Sequence, residues 1–355
     1  MIFKKKYFMK RKPVKKVLIT GHRGFIGIWL SYFFKMYGWK IYGIDNLSSE
    51  GDRLYNLIPN IFEKQLNSSI ENTKRISKFI NKIKPNLLIN VAGQAIVPKA
   101  FRKPLETFNS NTLGTLTLLE ILKKNQSIKS AIFITSDKVY KNNNKSEIFK
   151  ENNQLEGKDI YSSSKVFADQ LVKIYSKNFI YKKNLQIVRL GNVVGGGDWS
   201  INRLIPDLIH SITKKKKFKI RYSQATRPFQ HVSDVVNSIY KISDYSLKNK
   251  IKSGESWNLG PKNNSFEKVG NVIKIFKRSW KNIKIIDDNK KYKEDLNLRI
   301  DISKYCKTFG KPKFDSKESI NKAINWYSEY HNNKISPLIL IKKDLEFFLK
   351  NPNQL

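Results

Sequence analysis

The chain has 355 residues, of which 40% are hydrophobic and 12% aromatic, enough for a full core and too apolar for a disordered polymer. Its formal charge is +39, from 68 Lys+Arg against 29 Asp+Glu. The lysines recur along the whole length without a helix-turn-helix, zinc-knuckle or RNA-binding signature, so the charge reads as a general surface property that draws anionic ligands, not as a nucleic-acid interface. No apolar run reaches the ~20 residues of a membrane span, and the basic start lacks the apolar stretch of a secretory signal. The single Cys306 excludes an internal disulfide and fits a reducing cytoplasm, and with four histidines it makes no metal-ligand cluster.

Residues 1–16 form a basic leader. Val17 to Thr20 reads as a short buried strand, and Gly21-His22-Arg23-Gly24-Phe25-Ile26-Gly27 turns into a helix with apolar residues at Ile28, Leu30, Phe33, Phe34 and Tyr37. A second strand, Lys40 to Ile44, ends on Asp45. Strand, glycine turn, helix, strand and acid make a dinucleotide-binding unit. Glycines let the backbone approach a pyrophosphate, the helix N-terminus offers N–H groups, and Asp45 is placed to accept from an adenosine ribose while repelling a 2′-phosphate, so NAD is expected over NADP.

Ile70 to Lys82 has helical character, Leu87 to Val91 is a strand ending in Ala92-Gly93-Gln94, and a long helix is expected over 104–124 with Leu116, Leu119 and Leu122 toward the sheet. Ala131 to Thr135 is a buried strand that delivers Ser136-Asp137-Lys138 at its carboxyl edge, where ligands sit in open α/β sheets. The alternation implies an α/β fold: a doubly wound parallel sheet (Rossmann) over 17–190, with a smaller substrate-binding lobe mainly over 191–330, interleaved with the first. Gln186 to Leu190 is a further strand, opening into Gly191-Asn192-Val193-Val194-Gly195-Gly196-Gly197-Asp198-Trp199, a loop that permits close approach of a ligand or of other backbone. Later come a helix over 204–214, strands at 218–221 and around Trp257-Asn258-Leu259, and helices over 266–280, 303–309 and 316–330. In the tail, 331–355, the residues Leu338, Leu340, Leu345 and Phe348 have the pattern to pack on the body or on another subunit.

The stretch Asp159 to Lys165, DIYSSSK, puts Tyr161 and Lys165 four residues apart, on one face of a helix that continues through Val166, Leu171, Val172 and Tyr175. A neighbouring ammonium favours phenolate over phenol, and such a pair can take the proton of an alcohol as its carbon loses hydride. In a lysine-rich chain this spacing alone also fits a solvated helix face.

Together, TGHRGFIG, TSDKVY, YSSSK, GNVVGGGDW with NRLIPD, RPFQHV, WNLGP and EDLNLRIDISK resemble the extended short-chain dehydrogenase/reductase family, within it the CDP-glucose 4,6-dehydratase branch, over roughly residues 17–330. The resemblance implies that Ser136, Tyr161 and Lys165 act on the 4-OH of a nucleotide sugar, with Asp137 as acid and Lys138 as C5 base for loss of water across C5–C6. It implies NAD held by Gly21, Gly24, Phe25, Ile26, Gly27, Asp45, Ala92, Tyr161 and Lys165, with Lys165 keeping Tyr161 ionised. The sugar's diphosphate would meet Arg227 and Arg203, Asn192 would be the amide that contacts the substrate, and the family's usual assembly is a homodimer. His22 and His231 read as structural. Departures are Arg23 and Ile26 in the glycine turn, Asn67 where an acid is expected, and Gly93 where Ala is usual, the last a change that reads as neutral. The alternatives are a nucleotide-sugar 4-epimerase, a dehydratase for another nucleotide sugar, and a non-catalytic basic NAD-binding module.

Overall fold

The computed structural model describes residues 14–46, 53–143, 147–220, 222–280, 283–287 and 295–349; residues 1–13 of the basic leader and 350–355 of the tail lie outside them. The chain first alternates strand and helix: β1 (Lys16–Thr20), α1 (Phe25–Met36), β2 (Lys40–Asp45), α2 (Arg53–Asn56), β3 (Lys64–Asn67), α3 (Thr73–Ile83) and β4 (Leu87–Asn90). Next come α4 (Val97–Arg102), α5 (Pro104–Phe108), α6 (Gly114–Lys124), β5 (Ser130–Ser136), α7 (Ile160–Asn178) and β6 (Asn184–Leu190). After β6 the strands shorten: β7 (Asn192–Val194), α8 (Leu204–Thr213), β8 (Phe218–Ile220), β9 (Thr226–Arg227), β10 (Phe229–His231), α9 (Val232–Leu247) and β11 (Glu255–Leu259). The last elements are β12 (Glu267–Lys268), α10 (Val269–Ser279), β13 (Ile285–Asp287), α11 (Ser303–Phe309), α12 (Ser316–His331) and α13 (Pro337–Leu349).

Seven strands form one parallel sheet in the order β11-β6-β5-β4-β1-β2-β3. Its central strands are apolar on both faces, so helices must cover both. Alternate residues of β1 show the two layers: Val17 and Ile19 pack with Trp29 and Phe33 of α1 and Val235 and Ile239 of α9. Leu18 packs on the other side with Ile76 and Ile80 of α3 and Leu118 and Leu122 of α6. Strand order runs outward in opposite directions from β1 and β4, and the crevice above their carboxyl ends is the topological switch point where such sheets take ligands. The remaining strand pairs, β7 with β10, β9 with β12 and β8 with β13, are short and lie outside this sheet. The stretch 191–330 still contributes β11 to the sheet and α9 to one face of it.

The structure adds a π-helical turn and the helix α9 to the expected elements, and the tail packs on the body, one of its two expected partners. The helix over 104–124 is broken by a π-helical turn, Asn109–Leu113, between α5 and α6. Downstream of that turn Leu118, Leu119, Ile121 and Leu122 are buried while Leu116 sits at the margin. The helix α9 was not expected, although Val232, Val235, Val236 and Ile239 carry helical spacing. The tail forms α13, whose Leu340, Leu345 and Phe348 pack into the same core as α1 and α9. Among the described residues no helix is long and apolar enough to cross a membrane. Leu345 is fully buried, so Leu345→Ala is expected to cost about 2–5 kcal/mol of unfolding free energy, measured by urea denaturation; a change under about 0.5 kcal/mol would mean α13 is not part of the folded body.

Candidate active site

The carboxyl end of β5 turns sharply into a single 3-10 turn, Asp137–Val139. The Ser136 hydroxyl holds that turn: it accepts from the Lys138 N–H at 3.2 Å and lies 3.2 Å from Asp137 Oδ1, to which it donates. Across from it, α7 begins with a capping box in which Asp159 Oδ1 accepts from Ser162 N at 2.8 Å and Ser162 Oγ accepts from Asp159 N at 3.0 Å. The box sets the phase of the first turn, so Tyr161 and, one turn later, Lys165 both face inward and are buried. The Ser136 hydroxyl acts on the Tyr161 phenol and favours its ionised form. Lys165 Nζ reaches the Ile134 carbonyl at 3.4 Å, two residues before Ser136 on β5.

These groups open on one cavity of about 340 Å³, whose wall includes Ile26, Gly93, Ser136, Asp137, Lys138, Tyr161, Lys165, Asn192, Arg203 and Arg227. The fold therefore gathers, from five separate stretches, every residue singled out for catalysis or substrate contact. Burial pushes the Asp137 carboxyl up to about 6, partly opposed by the charges of Lys138 and Arg227. Its Oδ2 is buried without a hydrogen-bond partner among the described residues. Burial also pushes Lys165 down to about 8 and Tyr161 up to about 12. Desolvation outweighs the groups that favour the phenolate, the Ser136 hydroxyl and the Arg203 charge.

The two arginines are anchored differently. Arg203 precedes α8 and bonds Asp198 Oδ2 at 2.9 Å through Nη1; that carboxylate holds its guanidinium firmly protonated. Arg227 is buried on β9 and donates to the Thr226 carbonyl at 2.9 Å. The glycine run before Asp198 serves packing, since a side chain at Gly196 would collide with the Trp326 ring. Asp198 carried no signal in the sequence beyond its place in that run.

The glycine turn lies beside the cavity, and of its residues only Ile26 reaches the wall; Gly21, Gly24, Phe25, Gly27, Asp45 and Ala92 do not line it. Gly21 has φ +69°, donates to the Ile44 carbonyl at 2.9 Å, and would place a Cβ 2.7 Å from the Ala92 nitrogen. A Cβ at Gly27 would strike the backbone of Gly21 and His22. Gly24 begins α1, whose first turn receives no side-chain cap, so N–H groups of that turn are offered outward. The Asp45 carboxylate receives Arg23 N at 3.0 Å and Asn46 N at 2.9 Å, fastening the turn to the end of β2. This donor set, with an uncapped helix N-terminus and a carboxylate at the next strand end, fits a dinucleotide. Arg23 stacks on the Tyr55 ring at 4.4 Å, away from a small residue's role. His22 bonds Gln65 at 2.7 Å and His231 bonds Ser233 at 2.6 Å, both buried in packing positions.

Gly93 is not a neutral change. A Cβ there would sit 2.6 Å from Asn111 Oδ1 and 3.1 Å from Lys165 Nζ. Asn111, on the π-helical turn, donates to the Gln94 carbonyl at 3.0 Å and to Ser164 Oγ at 2.9 Å, so it braces α7 beside Lys165. Only the irregular turn brings it there, and nothing in the periodicity of 104–124 announced it.

The sequence matches the family described as GDP-mannose 4,6 dehydratase over residues 18–331. It is 28% identical to CDP-glucose 4,6-dehydratase of Salmonella typhimurium over 347 residues, 94% of this chain and 96% of that one. In structure it is similar to the dTDP-glucose 4,6-dehydratase of Bacillus anthracis, solved in complex with NAD, with TM-score 0.75 and 23% identity over 90% of this chain and 98% of that one. It is likewise similar to the UDP-glucose 4-epimerase of Thermus thermophilus, solved in complex with NAD, with TM-score 0.78 and 18% identity over 88% and 98% of the two chains. With the match extending from β1 to the last residue of α12, the chain belongs to the GDP-mannose 4,6-dehydratase family.

Proposed function

We propose that this protein is an NAD-dependent nucleoside-diphosphate-glucose 4,6-dehydratase whose substrate is CDP-glucose. The observation that carries the reading is the cavity that Ser136, Tyr161 and Lys165 share with the adjacent pair Asp137 and Lys138. The first three suit oxidation of a carbinol; the pair suits elimination of water. The CDP-glucose assignment is supported by the 28% identity to the Salmonella typhimurium enzyme across 94% of this chain.

NAD, when bound, supplies the hydride acceptor for C4 and the hydride donor for C6. Gly21, Gly24, Phe25, Ile26, Gly27, Asp45 and Ala92 would hold it, with Tyr161 and Lys165 at its nicotinamide end. Ser136 orients the sugar's 4-OH and Tyr161 takes its proton, assisted by the positive charges of Arg203 and Lys165. The 4-ketone acidifies the C5–H; Lys138 removes that proton, while Asp137 donates its own to the departing 6-OH, which leaves as water, and Lys138 returns a proton to C5 as the C5–C6 double bond is saturated. A carboxyl that titrates near 6 is suited to this acid role, because it keeps a proton to within about a unit of neutral pH. Asn192, Arg203 and Arg227 would hold the diphosphate.

The second reading is a 4-epimerase on a UDP-sugar, which needs the same tyrosine and lysine and is favoured by the fold shared with the Thermus thermophilus epimerase. Epimerisation breaks no C5–H bond, so it leaves Asp137 and Lys138 without work. Conversion of CDP-glucose with NAD in heavy water is expected to give a 4-keto-6-deoxy product carrying deuterium at C5, read by NMR; a 4-epimer without deuterium would decide for the second reading. Failure on CDP-, dTDP- and GDP-hexoses alike would end the proposal. Tyr161→Phe is expected to lower kcat by about 10²–10⁴ with little change in nucleotide-sugar binding.

Asp137 also gives a sign-definite test. Its folded pKa, about 6, is above the ordinary 3.8, so the fold favours the protonated form and loses stability as pH rises through that window. Asp137→Asn is therefore expected to stabilise the protein by about 1–3 kcal/mol at pH 8 and by less at pH 5, measured by urea denaturation, while dehydratase turnover falls. Equal stability at both pH values would mean the carboxyl is not held in this state.

The chain is further proposed to work in the cytoplasm as a homodimer. Phe101, Leu105 and Phe167 are 63%, 78% and 54% exposed on α4, α5 and α7. Phe108 and Phe167 bring α5 and α7 into one face, with ring centroids 5.8 Å apart. An apolar face of this kind suits a second copy. Leu105→Glu combined with Phe167→Glu is expected to give a monomer in sedimentation where the wild type sediments as a dimer.

A further inference from the structure

Behind the cavity wall lies a cluster of buried polar side chains that the reaction does not use. Arg189 is on β6, opposite Thr135 of β5 in the sheet register. Its Nε donates to Asp169 Oδ2 at 2.8 Å and its Nη2 to Asp169 Oδ1 at 2.9 Å, a bidentate pair with both side chains fully buried. Asp169 lies one turn beyond Lys165, which lies one turn beyond Tyr161, so all three share a face of α7. The other side of the guanidinium points to the turn after Ser136: Nη1 donates to Tyr140 Oη at 2.9 Å and to the Glu151 carbonyl at 2.9 Å. Tyr140 follows directly on Asp137–Val139, and its hydroxyl donates to Asn258 Oδ1 of β11 at 2.5 Å. Thr135, next to Ser136, reaches Asp169 Oδ2 at 3.4 Å. Neither Arg189, Asp169 nor Tyr140 lines the cavity.

We propose that Arg189 is a positioning residue for the reaction: through Asp169 and Tyr140 it locks the helix that carries Tyr161 and Lys165 against the strand end and turn that carry Ser136, Asp137 and Lys138. The inference rests on the dehydratase reading above for its catalytic consequence. A buried ion pair is a poor source of stability, because removing two charges from water offsets most of their attraction, and apolar residues of similar size often pack as well. What a planar fork of donors adds is direction. A slide of α7 along β5 by about 1 Å would spoil both bonds to Asp169, and a misplacement of that size at reacting groups costs on the order of 10²-fold in rate. The same guanidinium holds the acid–base turn and the tyrosine–lysine helix, so the two halves of the chemistry keep one geometry.

The test is the paired variant Arg189→Met with Asp169→Leu. Arg189→Met alone would leave the buried Asp169 carboxylate with only the half-exposed Lys173, 3.3 Å from its Oδ1, and two lost hydrogen bonds, so the pair is removed together. The NAD-loaded paired variant is expected to keep its circular dichroism and its bound NAD, with KM for CDP-glucose within about threefold of wild type, while kcat falls about 30–100-fold. Its crystal structure is expected to show the Tyr161 hydroxyl displaced from the Ser136 hydroxyl relative to the wild-type crystal structure. Arg189→Lys, which keeps the charge without the fork, is expected to lose kcat to an intermediate degree. A folded paired variant with wild-type kcat and an unchanged Ser136–Tyr161 separation would overturn the proposal, as would a loss of kcat that merely follows loss of NAD. Should wild-type protein turn over no nucleotide sugar, the dehydratase reading fails by itself, and the Ser136–Tyr161 geometry in the paired variant still decides whether Arg189 positions the site.

Discussion

The chemistry of this protein depends on how α7 is seated against the end of β5. One element brings a phenol and an ammonium; the other brings a hydroxyl and, in the next turn, a carboxyl and a second ammonium. The seating is over-determined. A capping box sets the phase of α7 at its first turn, Asn111 braces it through Ser164, Lys165 reaches back to the Ile134 carbonyl, and a bidentate pair ties Asp169 to the neighbouring strand. Each contact by itself is modest, but together they leave α7 little freedom to slide or rotate.

Desolvation is the second theme. The cavity groups are removed from water, and that removal sets the direction of every large shift: up for Asp137 and Tyr161, down for Lys165. For Asp137 and Tyr161 neighbouring cations oppose it without reversing it. The result is a site in which both the carboxyl and the lysine titrate within roughly a unit of neutrality, the range in which proton transfer in either direction is least costly. The large positive charge of the chain plays a different part, since it is spread over the surface and bears on how an anionic sugar nucleotide arrives.

Much of this was legible in the linear chain. The order of strands, the glycine turn with Asp45, the strand-end Ser136 and the Tyr161–Lys165 spacing are local patterns, and local patterns survive translation into structure because they depend on periodicity and turn chemistry within a few residues. The strand over 131–135 and the helix over 303–309 fell close to where periodicity put them. The π-helical turn at Asn109–Leu113 did not, because nothing in the spacing of apolar residues distinguishes it from the helix on either side. Helix α9 went unread despite a regular apolar stripe, since its Val- and Ser-rich composition resembles a strand in short windows.

By itself, then, the sequence determined the sheet architecture, the cofactor-type turn and the side chains that come to line the cavity, because each is written in residues that are neighbours along the chain or one helical turn apart. Only the tertiary structure decided how those side chains are charged and held. The raised Asp137, the Arg203 charge acting on Tyr161, the tight fit at Gly93 and the buried fork of Arg189 all arise between residues far apart in sequence. Their energies come from burial and from distances of a few ångströms, quantities that no linear pattern contains.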